Sequence, residues 1–149
     1  MKIIIDTNVA VSGLLWGGPP NQILRWARDG AVRIPACPGT LNELKKVLQY
    51  AKFTERLTAL ETTPENVLKY YRNLVVMTPD PASIPNVIKA DPFDDLFLAL
   101  ASENGAALIV SGDRHLLDLK SFNDIHVVTP AEGVEVIMKF RQTRGLPPL

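Results

Sequence analysis

The sequence predicts an α/β domain in which helices cover both faces of a parallel β-sheet. Two observations lead to this fold class. Residues 3–5 (Ile-Ile-Ile) form a short, unbroken β-branched run of the kind found in strands buried on both faces, and residues 107–111 are the best strand candidate after it. Segments with a helical pattern of apolar residues separate these two strands and several weaker strand candidates from one another. Such alternation of strands and helices is typical of parallel sheets with right-handed crossovers.

In the first half of the chain, the elements are bounded by glycine, proline and turn-forming residues. Residues 16–20 form a loop whose two prolines suit a helix start, and Gly30 lies near the end of that helix. The predicted helices are residues 21–28, 38–50, 54–60 and 64–74, and the predicted strands are residues 31–35 and 75–77.

The second half has a strong helix start at Asp91-Pro92, with acids in the first turn. Residues 96–101 are apolar on every side, which predicts a buried helix, and Asn104-Gly105 ends it. Strands are predicted at residues 107–111 and 125–128, and a last helix begins at Pro130. We expect one domain over residues 1–140 and a flexible tail over residues 141–149.

Composition narrows the class of protein. The chain has 149 residues, one cysteine (Cys37) and two histidines, which excludes an internal disulfide and a cysteine-built zinc site. No apolar run approaches the roughly 20 residues that cross a bilayer, and Asp6 comes too early for a signal peptide, so we expect a cytoplasmic protein without a membrane partner. Lys and Arg total 16, as do Asp and Glu, so nucleic-acid binding would depend on local cations and metal ions.

The acids most relevant to function follow strands or begin helices. Asp6 and Asp113 follow the two strongest strands, whose carboxyl ends meet at the edge where open α/β sheets bind ligands. The helix that leads into the second of these strands begins near the same edge and carries Asp91, Asp94 and Asp95, which share one side at about 100° per residue. Glu43 begins another helix that follows a strand and could join them.

Three to five carboxylates with little histidine form the ligand set of Mg²⁺ or Mn²⁺. Structural alternatives stay open at this point. Asp91 and Asp94 can cap their helix, and Asp113 can cap the segment after it. Residues 40–43 match the capping-box spacing, and this would give Glu43 a structural role. Asp6 is the hardest to explain structurally, because an ordinary turn needs no acid at the end of a buried strand.

Four motifs in order resemble those of PIN-domain nucleases. They are Asp6-Thr7-Asn8-Val9 after an apolar strand, Glu43-Leu44 on a helix, residues 94–101 (Asp-Asp-Leu-Phe-Leu-Ala-Leu-Ala), and Val110-Ser111-Gly112-Asp113. The cluster over residues 91–95 most resembles the subgroup of toxin components related to VapC-type ribonucleases. The resemblance implies a three-layer α/β/α domain with a central parallel sheet. It also implies a Mg²⁺- or Mn²⁺-dependent ribonuclease, often a homodimer and often inhibited by an antitoxin protein.

By this resemblance the catalytic and metal-binding acids are Asp6, Glu43, Asp94 and Asp113. Asp91 or Asp95 would be additional metal ligands, and Asn8 would orient Asp6 or a water. Ser111 stands where the family commonly has threonine, which preserves a hydroxyl, and Cys37 falls where many relatives have serine.

Candidate phosphate contacts are the cations close to these acids in sequence: Lys45, Lys46, Lys89 and Arg114. Two rival functions remain. An aspartyl-phosphate phosphatase also places an acid after its first strand, but it needs a second acid two residues later, where this chain has Asn8. A non-catalytic metal- or RNA-binding domain would retain the acids without turnover, and a housekeeping nuclease of the same family is a further alternative to a toxin.

Overall fold

The computed structural model describes residues 1–88 and 92–149. The main sheet has the strand order β1-β4-β6-β5, and β2 pairs with β3 in a second, two-stranded sheet. All pairings are parallel except that between β5 and β6, which is antiparallel. The strands are β1 (Ile3–Ile5), β2 (Pro35–Ala36), β3 (Val76–Met77), β4 (Leu108–Val110), β5 (Ser121–Phe122) and β6 (Ile125–Val128).

Eight α-helices connect or flank these strands in the described part of the chain, and a short 3₁₀ turn covers Ala51–Phe53. The helices are α1 (Thr7–Leu15), α2 (Pro19–Arg28), α3 (Pro38–Leu48), α4 (Thr54–Ala59), α5 (Pro64–Leu74), α6 (Pro92–Asn104), α7 (Arg114–Leu117) and α8 (Pro130–Thr143). Among the described residues, no helix combines the length and apolarity needed to span a membrane.

The two faces of the main sheet pack into two separate apolar cores. Side chains alternate along a strand, so Ile3, Ile5 and Val110 face one core while Ile4 and Ile109 face the other. The first core also contains side chains of α1, α2, α3, α5 and α8, and the second contains those of α6. The structure therefore confirms an α/β fold with helices on both sides of a central, mostly parallel sheet.

The predicted strand over residues 31–35 is displaced towards its carboxyl end. The regular strand is Pro35–Ala36, and Arg33 instead forms a single parallel bridge with Lys2. The Ile3 N–H donates to Arg33 O and the Arg33 N–H donates to Met1 O, both at 2.9 Å. These bonds lay the segment before β2 alongside the start of β1.

Helix α1 is an element that the sequence prediction missed. Its residues are mostly apolar, with weak helical periodicity, so only the turn after Asp6 was recognised. The helix packs closely on α2, because a Cβ at Gly13 would lie 2.7 Å from Leu24 Cδ1 and 2.8 Å from Pro20 O. Glycine is thus required where the two helices meet.

Two further differences concern the end of the chain. The sequence prediction lacked the short strand β5, which forms a hairpin with β6 through Asn123 and Asp124, both at positive φ. Helix α8 continues to Thr143, so the first three residues of the predicted tail, 141–143, are helical. The predicted burial of α6 is confirmed, since residues 96–101 are all buried, and Gly105 follows the helix with φ +62°.

Candidate active site

Asp6 is fixed at the junction of β1 and α1. Its backbone N–H donates to Val110 O at 3.1 Å, which continues the pairing of β1 with β4. Its side chain caps α1, because Oδ1 accepts from the Val9 N–H at 2.8 Å. Only 3% of Asp6 is exposed, so this carboxylate is buried at the carboxyl edge of the sheet.

Ser111 connects Asp6 to the loop after β4. The Ser111 hydroxyl donates to Asp6 Oδ2, and its oxygen accepts from the Asp113 N–H at 2.9 Å. Ser111 is fully buried. In the sequence, Ser111 stood out only as a motif position. The signal that could have revealed its role is a hydroxyl directly after a strand, which lies opposite Asp6 when Ile5 is in register with Val110.

Asp113 caps the helix that follows it and also lines the acidic cavity. Its Oδ1 accepts from the His115 N–H at 2.8 Å and so caps the short helix α7. The same side chain lines the cavity that contains Asp6. Capping occupies one oxygen of Asp113 and therefore leaves the carboxylate able to bind another group.

Glu43 lies in the second turn of α3 and takes no part in a capping box. The helix begins at Pro38, and Thr40 Oγ1 accepts from the Cys37 N–H and donates to Cys37 O, both at 3.0 Å. The capping-box alternative for Glu43 is therefore wrong, because the helix starts earlier than that alternative assumed. Glu43 Oε2 is buried without a hydrogen-bond partner.

Asp94 and Asp95 are adjacent and equally buried, at 5% and 4% exposure, but they face different surroundings. Asp94 lines the acidic cavity. Asp95 Oδ1 instead accepts from the N–H groups of Val87 at 3.2 Å and Ile88 at 2.8 Å. Asp95 therefore holds the segment before α6 and does not line the cavity, although the sequence placed both acids on one side of the helix. Asp91 lies outside the described residues.

One cavity of about 60 Å³ brings most of the predicted site residues together. It is lined by Asp6, Thr7, Asn8, Glu43, Val47, Asp94, Phe97 and Asp113. Since one water needs about 10–15 Å³, this space admits a cation with some water. Thr7, Val47 and Phe97 were not predicted as site residues. Tyr71, also not predicted, lines a smaller neighbouring space together with Asp6, Thr7 and Phe97.

The electrostatics of this site are dominated by buried negative charge. Burial raises the pKa of Asp6, the hydrogen bonds from Ser111 and Val9 oppose that rise, and the charge of Asp113 adds to it. Burial, followed by the charge of Asp6, raises the pKa of Tyr71. Within residues 1–88 and 92–149, Arg28 and Asp29 form a salt bridge, but no described cation forms one with Asp6. A cation in the cavity would relieve this unfavourable charge.

The donor chemistry of the cavity fits a hard divalent cation. Four carboxylates and the Asn8 amide provide oxygen ligands, and the buried Glu43 Oε2 lacks any hydrogen-bond donor. Among the described residues, no three of the acids, cysteines and histidines are positioned as a ready-made ion site. The side chains thus supply suitable ligands that would have to draw together around an ion.

Three of the four predicted phosphate contacts lie on the protein surface. Lys45, Lys46 and Arg114 are exposed, whereas Lys89 lies outside the described residues. His115 is exposed and Cys37 is fully buried.

Comparisons with known proteins agree with the fold and the motifs. A family model described as PIN domain matches residues 2–115, a range that includes Asp6, Glu43, Asp94 and Asp113. The crystal structure of PAE2754 from Pyrobaculum aerophilum is similar, with a TM-score of 0.59 and 15% identity, over 91% of this chain and 89% of that chain. A search of curated proteins finds no match. PIN domains are generally nucleases and usually bind divalent metal ions. This chain belongs to the PIN domain family.

Proposed function

We propose that this chain is a Mg²⁺- or Mn²⁺-dependent ribonuclease that hydrolyses RNA phosphodiester bonds. The observation that carries the proposal is the single cavity lined by Asp6, Glu43, Asp94 and Asp113, which come from four separate segments of the chain. No fold requires four carboxylates to share a cavity of about 60 Å³, because their mutual repulsion destabilises the protein.

These four acids are the residues that would hold the ion, with Asn8 beside them. When bound, Mg²⁺ or Mn²⁺ would acidify water and neutralise charge that develops on the phosphate during hydrolysis. Asp95 is not proposed as a ligand, since its carboxylate already binds the backbone of Val87 and Ile88.

The protein holds one of these ligands firmly in place. Asp6 is held at both oxygens, by the Val9 N–H and by the Ser111 hydroxyl, and each oxygen retains one lone pair for a further contact. The Asn8 amide can orient a water or a substrate oxygen. Phe97 and Val47 form apolar walls, which lower the local dielectric and strengthen every charge interaction in the cavity.

The decisive experiment compares two acid-to-amide variants in a cleavage assay on single-stranded RNA. The purified protein should cleave with Mn²⁺ or Mg²⁺ and stop when EDTA is added. Asp6→Asn should abolish cleavage with an unchanged circular dichroism spectrum, whereas the matched control Asp118→Asn, at an exposed acid, should cleave like the wild type. Equal cleavage by Asp6→Asn and the wild type would refute the mechanism.

The same assay separates the rival functions. A non-catalytic domain would bind metal and RNA without producing fragments. An aspartyl-phosphate phosphatase would release phosphate from small phosphomonoesters. The sequence disfavours this activity, because Asn8 stands where such an enzyme needs its second acid.

The proposal extends to a biological role as the toxin of a toxin–antitoxin pair, with an antitoxin protein and a second copy of this chain as partners. Its support is the resemblance of residues 91–95 to the VapC-type subgroup. Light scattering of the purified protein tests the homodimer, and growth of a host that expresses the chain tests the toxin role. A housekeeping nuclease would cleave RNA without slowing growth.

A further inference from the structure

A groove of about 370 Å³ runs between α3 and α5, outside the acidic cavity. Helix α3 contributes Asn42 and Lys45 to its walls, and Gln49 follows directly after this helix. Helix α5 contributes Glu65, Lys69 and Arg72. The apolar side chains of Leu41 and Leu68 also line it. The groove is therefore polar and charged along its rim and accessible to a large ligand.

The groove concentrates positive charge in a chain whose net charge is zero. It has three cationic side chains and one acid, Glu65, and all four residues are exposed. Among the described residues the salt bridge is Arg28–Asp29, so Glu65 forms no direct ion pair with Lys45, Lys69 or Arg72. These three cations are available to an anionic partner.

Helix α3 connects the groove to the acidic cavity. At about 100° per residue, the exposed Lys46 lies between Glu43 and the groove residues Asn42 and Gln49 around the helix. Lys45 follows on the far side of this pair. A chain of polar and cationic groups therefore crosses the exposed side of a helix that is only about 10–12 Å wide.

We propose that this groove binds the phosphate backbone of single-stranded RNA whose scissile bond lies in the acidic cavity. The assignment of the cavity as the cleavage site rests on the proposed ribonuclease function. Four carboxylates repel a polyanion, so substrate needs cations a short distance away that offset this repulsion. Lys45, Lys69 and Arg72 supply phosphate contacts, and the Asn42 and Gln49 amides supply hydrogen bonds to phosphate or sugar.

The test measures RNA binding without turnover. A labelled single-stranded RNA is titrated in EDTA, over a series of salt concentrations, against the wild type and the double variant Lys69→Gln/Arg72→Gln. Each phosphate contact contributes about 0.7 to the slope of log affinity against log salt for single strands, so the double variant should lower the slope by about 1.4 and weaken binding several-fold. Lys139→Gln, at an exposed lysine on α8, is the matched control and should bind like the wild type.

Cleavage then tests the path from groove to cavity. With Mn²⁺, the double variant should cleave a long RNA more slowly than the wild type does, yet cleave a dinucleotide, which is too short to reach the groove, at the same rate. Groove-dependent RNA binding without any cleavage by the wild type would refute the ribonuclease function and leave the groove assignment standing. An unchanged affinity and salt slope in the double variant would overturn the groove assignment. Binding of an oligoglutamate peptide that depends on Lys69 and Arg72, without such dependence for RNA, would also overturn it, because the groove would then serve an acidic protein segment.

Discussion

Removing the Asp95 carboxylate should destabilise the fold, whereas removing only its charge should not. Three carboxylates anchor residues 80–88. Asp80, within this segment, accepts from the Gly39 N–H, Glu103 accepts from the Ala82 N–H, and Asp95 accepts from the consecutive N–H groups of Val87 and Ile88. Asp95 is buried, so alanine at this position leaves its partners without an acceptor and admits little water.

The expected loss of stability in Asp95→Ala follows from the two N–H groups that lose their acceptor. Val87 is 41% exposed, so its N–H can bind water after Asp95→Ala, whereas Ile88 is 6% exposed and its N–H stays unpaired. An unsatisfied buried donor costs about 1–3 kcal/mol, and the lost bonds to a charged acceptor place the total at about 2–3 kcal/mol. For a domain of this size, that corresponds to a fall in Tm of about 5–10 °C. Asp95→Asn keeps an acceptor oxygen and should cost less than about 1 kcal/mol.

Urea denaturation and thermal melting followed by circular dichroism measure both variants, and a Mn²⁺ titration of Asp95→Asn completes the test. If Asp95 holds the backbone, Asp95→Asn should bind Mn²⁺ as tightly as the wild type does. The reasoning is refuted if Asp95→Ala melts within 1 °C of the wild type, or if Asp95→Asn loses Mn²⁺ affinity to the same extent as Asp113→Asn.

Further predictions concern the metal site, the helix contact and the biological role. Mn²⁺ at one hundred times its Kd should raise the unfolding free energy of the wild type by about 2.7 kcal/mol and that of Asp113→Asn by much less; equal shifts in the two melting curves would remove Asp113 from the ligand set. In EDTA, the raised pKa of Asp6 means that the folded state binds more protons than the unfolded chain, so stability should fall as pH rises through that pKa. Asp6→Asn should flatten this part of the stability–pH profile. A profile identical to that of the wild type would show that the raised pKa of Asp6 does not cause the pH dependence. Gly13→Ala should lower the unfolding free energy by about 1–3 kcal/mol in urea denaturation, because its Cβ would meet Leu24, while Gly17→Ala, with open space around it, should change little. Expression of the wild type should slow host growth and expression of Asp113→Asn should not; equal growth inhibition would exclude a nuclease toxin.

Local sequence patterns were sufficient for the fold class and for most of the elements. The unbroken run Ile3–Ile5 identified the first strand, and proline at a helix start located α2 and α3. An amphipathic pattern located α5, and the wholly apolar stretch at residues 96–101 identified the buried helix. These signals are readable because each depends on neighbours a few residues away. Helix α1 and strand β5 escaped prediction, because α1 has weak helical periodicity and β5 has only two residues.

For the site, the sequence supplied the acids and the rule that places them at one edge of the sheet. Residue order predicted that Asp6 and Asp113 would emerge at the same edge, since both follow strands of a parallel sheet, and that Glu43 and Asp94 could reach them from helices. The sequence could not separate Asp94 from Asp95, because adjacent helical positions differ by about 100° and either can face the site until packing fixes the helix rotation. Tertiary contacts decided this: the backbone of Val87 and Ile88 engages Asp95, while Asp94 lines the cavity. Tertiary structure also decided that Ser111 would hold Asp6, because their hydrogen bond joins residues 105 positions apart and depends on the register of β1 with β4.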